Sequence, residues 1–245
     1  MIRTAPDGTL ARMAPSAEAV ARHPLLAHPK RPGWVRVDLH SHTMWSGDST
    51  TTPEELADAV VASGIDVLCI TDHNAIRGAA ELADRLPCRV IVGEELRTHA
   101  GEIIGLFLQE RVPFGVSPRE AAALIREQGG LVYIPHPFDP MRRNMAEPAL
   151  IDLVDAGLVD AIEVFNAKTS LAHLNDRAAA FAAERGLPGG AGSDAHVPDA
   201  LGSAYAEMPD FTDAASFLAS LQSAHVVGHH FDAARPWRPR IVPST

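Results

Sequence analysis

The sequence predicts an α/β domain built on a parallel sheet, either closed into a barrel or open and doubly wound. Three observations carry this reading. Apolar strand-like runs and amphipathic helix-like runs alternate about seven times with short connections between them. Several of the strand-like runs are apolar almost throughout, as in IDVLCIT, which fits strands covered on both faces. Histidine, aspartate and glutamate gather just after these runs, the end at which parallel α/β folds place their sites.

The elements follow in order. Residues 1–34 are rich in Pro, Ala and Arg, with a short helix near Ser16–Arg22, and read as an arm packed on the domain. VRVDLH is the first strand. The helix TPEELADAVVAS has Thr52 as N-cap, Pro53 at its first position, two Glu in its first turn and Gly64 as its stop. IDVLCIT is a strand, AIRGAAELADRL a helix, and CRVIVGEE and GEIIGLFL are strands. SPREAAALIREQGG is a helix with a Ser-Pro start and a Gly stop, and LVYIPHP a strand. EPALIDLVDAG, then VDAIEVFN, then SLAHLNDRAAAFAAERG give helix, strand and helix. LPGGAGSDAH is a short strand running into polar residues, and TDAASFLASLQSA is a last helix before the apolar HVVGHH. The main domain is thus expected over residues 35–230, with 231–245 as a Pro- and Arg-rich surface tail.

The 245 residues suit one large domain, and an apolar content of 46% is ordinary for a globular protein. The net charge of -10 argues against a long phosphate backbone as partner, but not against a small anion held locally. Cys69 and Cys88 suggest no disulfide framework, which fits a reducing cytoplasm. Neither a signal peptide nor a run long enough to span a bilayer is evident. No dinucleotide fingerprint, P-loop or internal repeat is found, and oligomeric state is not legible.

The informative residues follow the strands: His40, His42 and Asp48; Asp72 and His73; Glu94 and Glu95; His136; Asn166; Asp194 and His196. Imidazole and carboxylate without thiolate suit Zn, Mn or Fe. His40 and His42, two apart on a strand, can reach one ion from one side. The Asp preceding His73 and the Asp preceding His196 can ligate or orient the nearby imidazole. Taken singly, each group also reads as a cap or a rigid turn; their recurrence at one end of successive strands favours a shared metal site. His99, His173, His225, His229 and His230 lack that context and read as structural, and His23 and His28 as surface residues.

The segments DLHSHTMWSGDSTTTPEEL, ITDHNAIRG, VIVGEEL, IPHPFD and GSDAH resemble, in order, the motifs of the polymerase-and-histidinol-phosphatase (PHP) superfamily, from about Val35 to Gly202. The resemblance implies a distorted (β/α)7 barrel holding two or three divalent ions, Mn, Fe or Zn. Carried over motif by motif, it implies that His40, His42, Glu95 and Asp194 hold the first ion. Glu95 bridges to a second ion that His136 also binds, and Asp48, His73 and His196 hold a third. The family pattern Gly-any-Glu points to Glu95 over Glu94. Asp48, in WSGDS, is aligned with a Ser-Asp-Gly of many relatives, and Glu163 and Asn166 are further candidates on IEVFN.

Three ions carry six positive charges against three from Asp48, Glu95 and Asp194, so the pocket is expected to be electropositive and to favour phosphate. The expected activity is phosphoester hydrolysis on a small phosphorylated metabolite or nucleotide, with a metal-bound hydroxide attacking phosphorus. Arg142 and Arg143, just past His136, offer a phosphate clamp. Lys168, one of two lysines in the chain, is the next cation, whereas Arg77 reads as a helix residue. Competing readings are a nuclease on short oligonucleotides, a non-catalytic metal-binding module and an amide hydrolase.

Overall fold

A computed structural model describes residues 14–231. Residues 1–13 of the expected arm and 232–245 of the expected tail lie outside the described residues. Nine strands form one sheet: β1 (Trp34–Ser41), β2 (Val67–Ile70), β3 (Arg89–Thr98), β4 (Gly101–Leu106), β5 (Leu131–Ile134), β6 (Ala161–Asn166), β7 (Gly189–Gly192), β8 (Ala204–Pro209) and β9 (His225–Gly228). Their spatial order is β7-β6-β5-β4-β3-β2-β1-β8-β9. The helices are α1 (Ala17–Arg22), α2 (Pro53–Ser63), α3 (Arg77–Leu82), α4 (Pro118–Glu127), α5 (Glu147–Asp155), α6 (Ala172–Arg185) and α7 (Ala214–Leu221). No helix among the described residues is long and apolar enough to cross a membrane.

The sheet curls until it nearly closes. Ser41, the last residue of β1, and Ala195, past the end of β7, form a parallel bridge. Asp194 N donates to His40 O at 2.8 Å, and His42 N donates to Ala195 O at 2.9 Å. Val37 and Leu39 of β1, Cys69 of β2, Ile104 of β4 and Tyr133 of β5 share one buried cluster, which strands so far apart in the order can form only across a curled sheet. The result is a mixed α/β fold around a nearly closed, barrel-like sheet.

Two details correct the expected parallel pattern. β4 runs antiparallel to both β3 and β5. The physical reason is the connection: only His99 and Ala100 separate β3 from β4, and a parallel crossover needs a dozen residues or so. β8 escaped the sequence reading altogether. It pairs antiparallel with β1 and carries β9 outside it. Its residues AYAEMP contain no β-branched residue to mark them as a strand.

Local chemistry sets the helix starts. Thr52 makes a capping box with Glu55: Glu55 N donates to Thr52 Oγ1 at 3.3 Å, and Thr52 N donates to Glu55 Oε2 at 2.9 Å. Gly64, with φ of +68°, ends α2 in the left-handed region. Ser16 caps α1 and Ser117 caps α4. The segment before β1 packs on the barrel, with Leu26 buried and the Arg36 guanidinium donating to the carbonyls of Leu26 and His28. His23, expected at the surface, is 1% exposed. Its Nε2–H donates to Asp199 O (2.8 Å), leaving Nδ1 to accept from His229 Nε2 (2.9 Å), and burial pushes its pKa down to about 4.

β7 consists of GGAG, and the small residues have a steric reason. A Cβ at Gly192 would overlap His40 Cβ and the carboxylate of Glu163. One at Gly190 would press on Leu39 and the Tyr133 ring. The close approach of β7 to β1 therefore depends on these glycines. Gly192→Ala is expected to cost about 1–3 kcal/mol of unfolding free energy, as overpacking of a filled interior does. Denaturant unfolding checks this, and a midpoint equal to that of the parent would contradict it.

Candidate metal centre

Two side chains at the carboxyl end of β1 start the site, His40 within the strand and His42 one residue past it. His40 and His42 lie two residues apart, so both rings emerge on one side of the strand. Each is held through its second nitrogen. His40 Nδ1 lies 3.1 Å from Glu163 Oε1, and His42 Nδ1 lies 2.9 Å from Ser46 Oγ, which also accepts from His73 N. With Nδ1 as the donor in both rings, the Nε2 lone pairs face one another at 3.1 Å. Two facing lone pairs repel unless a proton or a cation sits between them.

The other rim residues converge on the same place. Glu95 Oε2 lies 3.3 Å from both His40 Nε2 and His42 Nε2. Asp194 Oδ1 lies 3.4 Å from His42 Nε2 and 3.9 Å from His40 Nε2. Glu95 Oε1 lies 3.0 Å from His136 Nε2. On the outer side, Asp48 Oδ2 lies 3.1 Å from His196 Nε2 and 3.5 Å from His73 Nε2. All eight expected ligands are thus brought together. Their donor atoms fall into overlapping groups: His40, His42 and Asp194; His40, Glu95 and His136; His42, Asp48, His73 and His196.

The donor set fits divalent cations. Nitrogen and oxygen ligands about 2.0–2.2 Å from a shared ion stand roughly 3.0–3.6 Å apart, close to the spacings seen here. His73 Nδ1 and His136 Nδ1 are buried without a hydrogen-bond partner, which is costly unless another charge pairs with them. His73 Nδ1 faces Glu95 Oε2 at 3.1 Å and Glu102 Oε1 at 3.9 Å, so these three form a fourth donor group.

Glu102 is a site residue that the sequence reading missed. It sits second in β4 and is 4% exposed. A lone carboxylate in the otherwise apolar GEIIGLFL was the available signal. Glu163, left open by the sequence, turns out to orient: besides His40 it accepts from His136 N at 2.7 Å. Asn166 donates to Glu163 Oε2 at 3.0 Å and to Asp194 Oδ2 at 3.3 Å.

Other expectations are corrected or sharpened. Asp72 does not orient His73; its carboxylate accepts from Thr43 N and Oγ1 and pins the turn after β1. Asp194 does meet His196, whose Nδ1 lies 2.8 Å from the Asp194 carbonyl and 3.2 Å from Oδ1. Glu94 turns away from the cluster, accepts from Val112 N and is pushed by burial to a pKa of about 7. Glu95 is not at a strand end. β3 runs three residues further because β4 pairs with it, and Glu95 lies three residues past Val92, the last to pair with β2, bridged to His73.

The cations divide. An Arg142 guanidinium nitrogen lies 3.3 Å from Asp194 Oδ2 and donates to Lys168 O. Lys168 Nζ lies 2.8 Å from His196 Nδ1 and 3.7 Å from Asp194 Oδ1. Asp139 joins their two loops by accepting from Ser170 N and Oγ and from Met141 N. Arg143 lines the same cavity, about 460 Å³ in volume, together with His73, Glu95, His136 and Asp194. Arg77 pairs with Glu81 on α3 at 2.6 Å, as a helix residue.

Without cations the cluster stores protons. Burial alone would lower the His73 pKa, but Glu95 and Asp48 outweigh it and raise it to about 9. His40 is likewise raised, by Glu95, Glu163 and Asp194 acting against burial. His42 goes the other way, to about 4, because burial is joined by repulsion from His196 and His73. Burial would raise Asp194, but Lys168, Arg142 and His40 hold it well below the usual carboxylate range.

The backbone is strained where these residues sit. Among the described residues, four non-glycines have positive φ: Asn74 at 53°, Phe107 at 62°, His136 at 27° and Asp194 at 49°. Two belong to the cluster and a third follows His73. Each of the three is held by its N–H, to Glu95 O, Glu163 Oε2 and His40 O respectively. Such conformations cost about 1–3 kcal/mol and persist where the surroundings enforce them, often at functional sites.

A barrel-like α/β sheet whose rim gathers imidazoles and carboxylates defines a metal-binding α/β barrel. The chain belongs to the PHP family: the PHP domain matches residues 38–134 and the PHP-associated region residues 172–226. It is 34% identical over 178 residues to the uncharacterized protein MJ0417 of Methanocaldococcus jannaschii, covering 72% of this chain and 71% of that one. The uncharacterized protein MJ1587 of the same organism is 40% identical over 146 residues, covering 54% and 82% respectively. The fold matches a two-domain Bacteroides vulgatus protein that contains a predicted PHP-like metal-dependent phosphoesterase, with a TM-score of 0.62, 18% identity and coverage of 82% and 67%.

Metal binding should therefore displace protons. His73 titrates near 9, so it is protonated at pH 7 and must lose its proton to ligate. Adding Mn²⁺ or Zn²⁺ to metal-free protein at pH 7 is expected to release protons, and apparent affinity should rise with pH between about 6 and 9. Calorimetry in buffers of different ionisation enthalpy measures the release; binding with no proton exchange would contradict it.

Proposed function

We propose that the chain hydrolyses phosphate esters of small molecules at the cluster spanning His40 to His196. The observation that carries this reading is the juxtaposition of an imidazole–carboxylate donor set, most of it lining one cavity, with two cations held on Asp194: Arg142 on the cavity wall and Lys168 next to His196. His40, His42 and Asp194 would hold one ion, Glu95 and His136 a second, and Asp48, His73 and His196 a third, with Glu95 shared and Glu102 beside it. Divalent ions in such a set supply Lewis acidity to phosphoryl oxygens and make water a competent nucleophile near neutral pH.

The chain's own side chains do the rest. Glu163 and Ser46 hold the His40 and His42 tautomers with Nε2 turned inward, so the donors are oriented before anything binds. Arg142, on the cavity wall, and Lys168 are both anchored on Asp194 and add positive charge beside that carboxylate. A guanidinium fork there suits two phosphoryl oxygens, and charge on a fixed support needs no reorganisation as negative charge grows in the transition state. Lys168 Nζ also lies 2.8 Å from His196 Nδ1, which holds the ammonium next to the donor group. The Asp139–Ser170 contacts keep the Arg142 and Lys168 loops in register. The cavity volume suits a metabolite or mononucleotide, and the acidic chain disfavours long polyanions.

Hydrolysis of p-nitrophenyl phosphate and of its bis ester, after chelation and addition of Mn²⁺, Zn²⁺ or Mg²⁺, tests this directly. Monoester turnover that returns with metal is expected. Preference for the diester would favour a nuclease, and metal retention without turnover would favour a binding module. His40→Ala is expected to lower turnover by about 100-fold or more while leaving the circular dichroism spectrum unchanged. Arg142→Ala should lower kcat/KM for phosphate monoesters by roughly 10–100-fold, the value of a charge-assisted hydrogen bond. Parent-like kinetics in the Arg142 variant would remove it from the site.

A further inference from the structure

Beside the main cavity lies a second one, about 510 Å³ in volume, and Arg97 and Arg143 line both. The remaining lining of the second cavity includes Thr98, His99 and Asn144 but no aspartate or glutamate. This is unusual for a chain with net charge -10. Several other arginines are neutralised: Arg89 pairs with Asp210, Arg119 with Asp152, Arg126 with Asp160 and Arg177 with Glu147, although the exposed Arg31, Arg85 and Arg111 make no ion pair among the described residues either. Arg97 and Arg143 are exposed, and among the described residues neither guanidinium has a carboxylate within ion-pair distance. Arg97 lies opposite Glu102 across the β3–β4 ladder, but the Glu102 carboxylate is turned to His73 and Glu95.

The two arginines ride on a rigid seam. The β3–β4 turn docks on the loop after β5: Glu102 N donates to Arg143 O at 2.8 Å, and Ala146 N donates to Ala100 O at 2.6 Å. Gly101 has φ of +128°, and a Cβ there would overlap the backbone of Asn144 and Met145, so the approach depends on glycine. Thr98 Oγ1 donates to Gly101 O and accepts from Ala100 N, closing the turn. Both arginine-bearing backbones are thus fixed relative to one another, and to the metal cluster through Glu102 and Glu95 on the same two strands. Preorganised donors bind an anion without first paying to order a loop.

We infer that Arg97 and Arg143 form a second anion subsite, which selects phosphate esters carrying a further phosphate or carboxylate a short linker away from the scissile group. The inference rests on the phosphoesterase reading and deepens it. The scissile phosphate is met by the metal cluster, Arg142 and Lys168; the distal anion lies at the wall shared by the two cavities. A neutral or purely apolar alcohol would leave that wall without a counter-charge.

Binding of non-hydrolysable phosphonates tests the subsite without relying on turnover. The probes are propylphosphonate, propane-1,3-bisphosphonate and 4-phosphonobutanoate, titrated calorimetrically into metal-replete protein. The parent should bind at least one dianionic probe about tenfold or more tighter than propylphosphonate, beyond the twofold statistical advantage of a symmetric ligand. A gain for both probes identifies a general anion subsite, and a gain for the bisphosphonate alone a phosphate subsite. The Arg97→Gln/Arg143→Gln double variant, or Arg97→Gln alone should the double variant melt early, should lose most of that gain. Equal affinity for all three probes in the parent, or a gain that survives in the variants because it comes from metal chelation, would overturn the subsite. Phenyl phosphate turnover by the parent, measured separately, reports on the phosphoesterase reading itself.

Discussion

Glu95 is a carboxylate, 1% exposed, with imidazoles on every side. Its two oxygens lie 3.0–3.3 Å from nitrogens of His40, His42, His73 and His136. A lone buried carboxylate would be costly, and so would several buried imidazolium ions. Together they are tolerable only if positive charge is supplied at the points where their lone pairs meet. The mixture of raised and lowered histidine pKa values is the signature of that unresolved demand: His73 is drawn up to about 9 while His42 is driven down to about 4. Metal ions answer it for all donors at once, because one dication replaces protons that neighbouring rings cannot all hold.

The rest of the fold serves to bring these donors to one place. β1 and the residue just past its end supply two imidazoles, and the glycines of β7 let β1 and β7 meet so that Asp194 reaches His42. The antiparallel β3–β4 hairpin, a departure from a regular parallel barrel, extends β3 past the carboxyl end of β2 and places Glu102 beside Glu95. The strained backbones of His136 and Asp194 are held by hydrogen bonds to Glu163 and to the His40 carbonyl. The residues that orient the donors therefore also hold the chain in its unfavourable conformation. That links stability to function at the rim: loosening Glu163 would free both a tautomer and a strained turn.

Much of this was legible in the sequence because it depends on local periodicity. The N-cap at Thr52, the Gly64 stop and the apolar β2 follow from neighbouring residues, and the structure shows each of them. Strand alternation and the polar residues that follow apolar runs are local features and brought a wider set of candidates into view; the resemblance narrowed that set to eight ligands, and the structure brings all eight together. What the sequence hid depends on long-range geometry. Nothing near Glu163 says that its carboxylate meets a ring 123 residues away. Glu102 was obscured by its apolar neighbours, and Asp72 by an adjacent histidine that made it look like an orienting group. β8 was missed because its pairing with β1, not its own composition, makes it a strand. His23 was misplaced at the surface because its partners, His229 and Asp199, come from the far end of the chain.

The central claim is that Glu95 lies between divalent ions. Anomalous diffraction at the Mn or Zn absorption edge, on crystals of metal-replete protein, tests it most directly. The account predicts at least two anomalous peaks about 2.0–2.3 Å from the Glu95 carboxylate oxygens, one facing His40 and His42 and the other facing His136. Peaks confined to the protein surface, or a metal-replete crystal with no peak at Glu95, would contradict it.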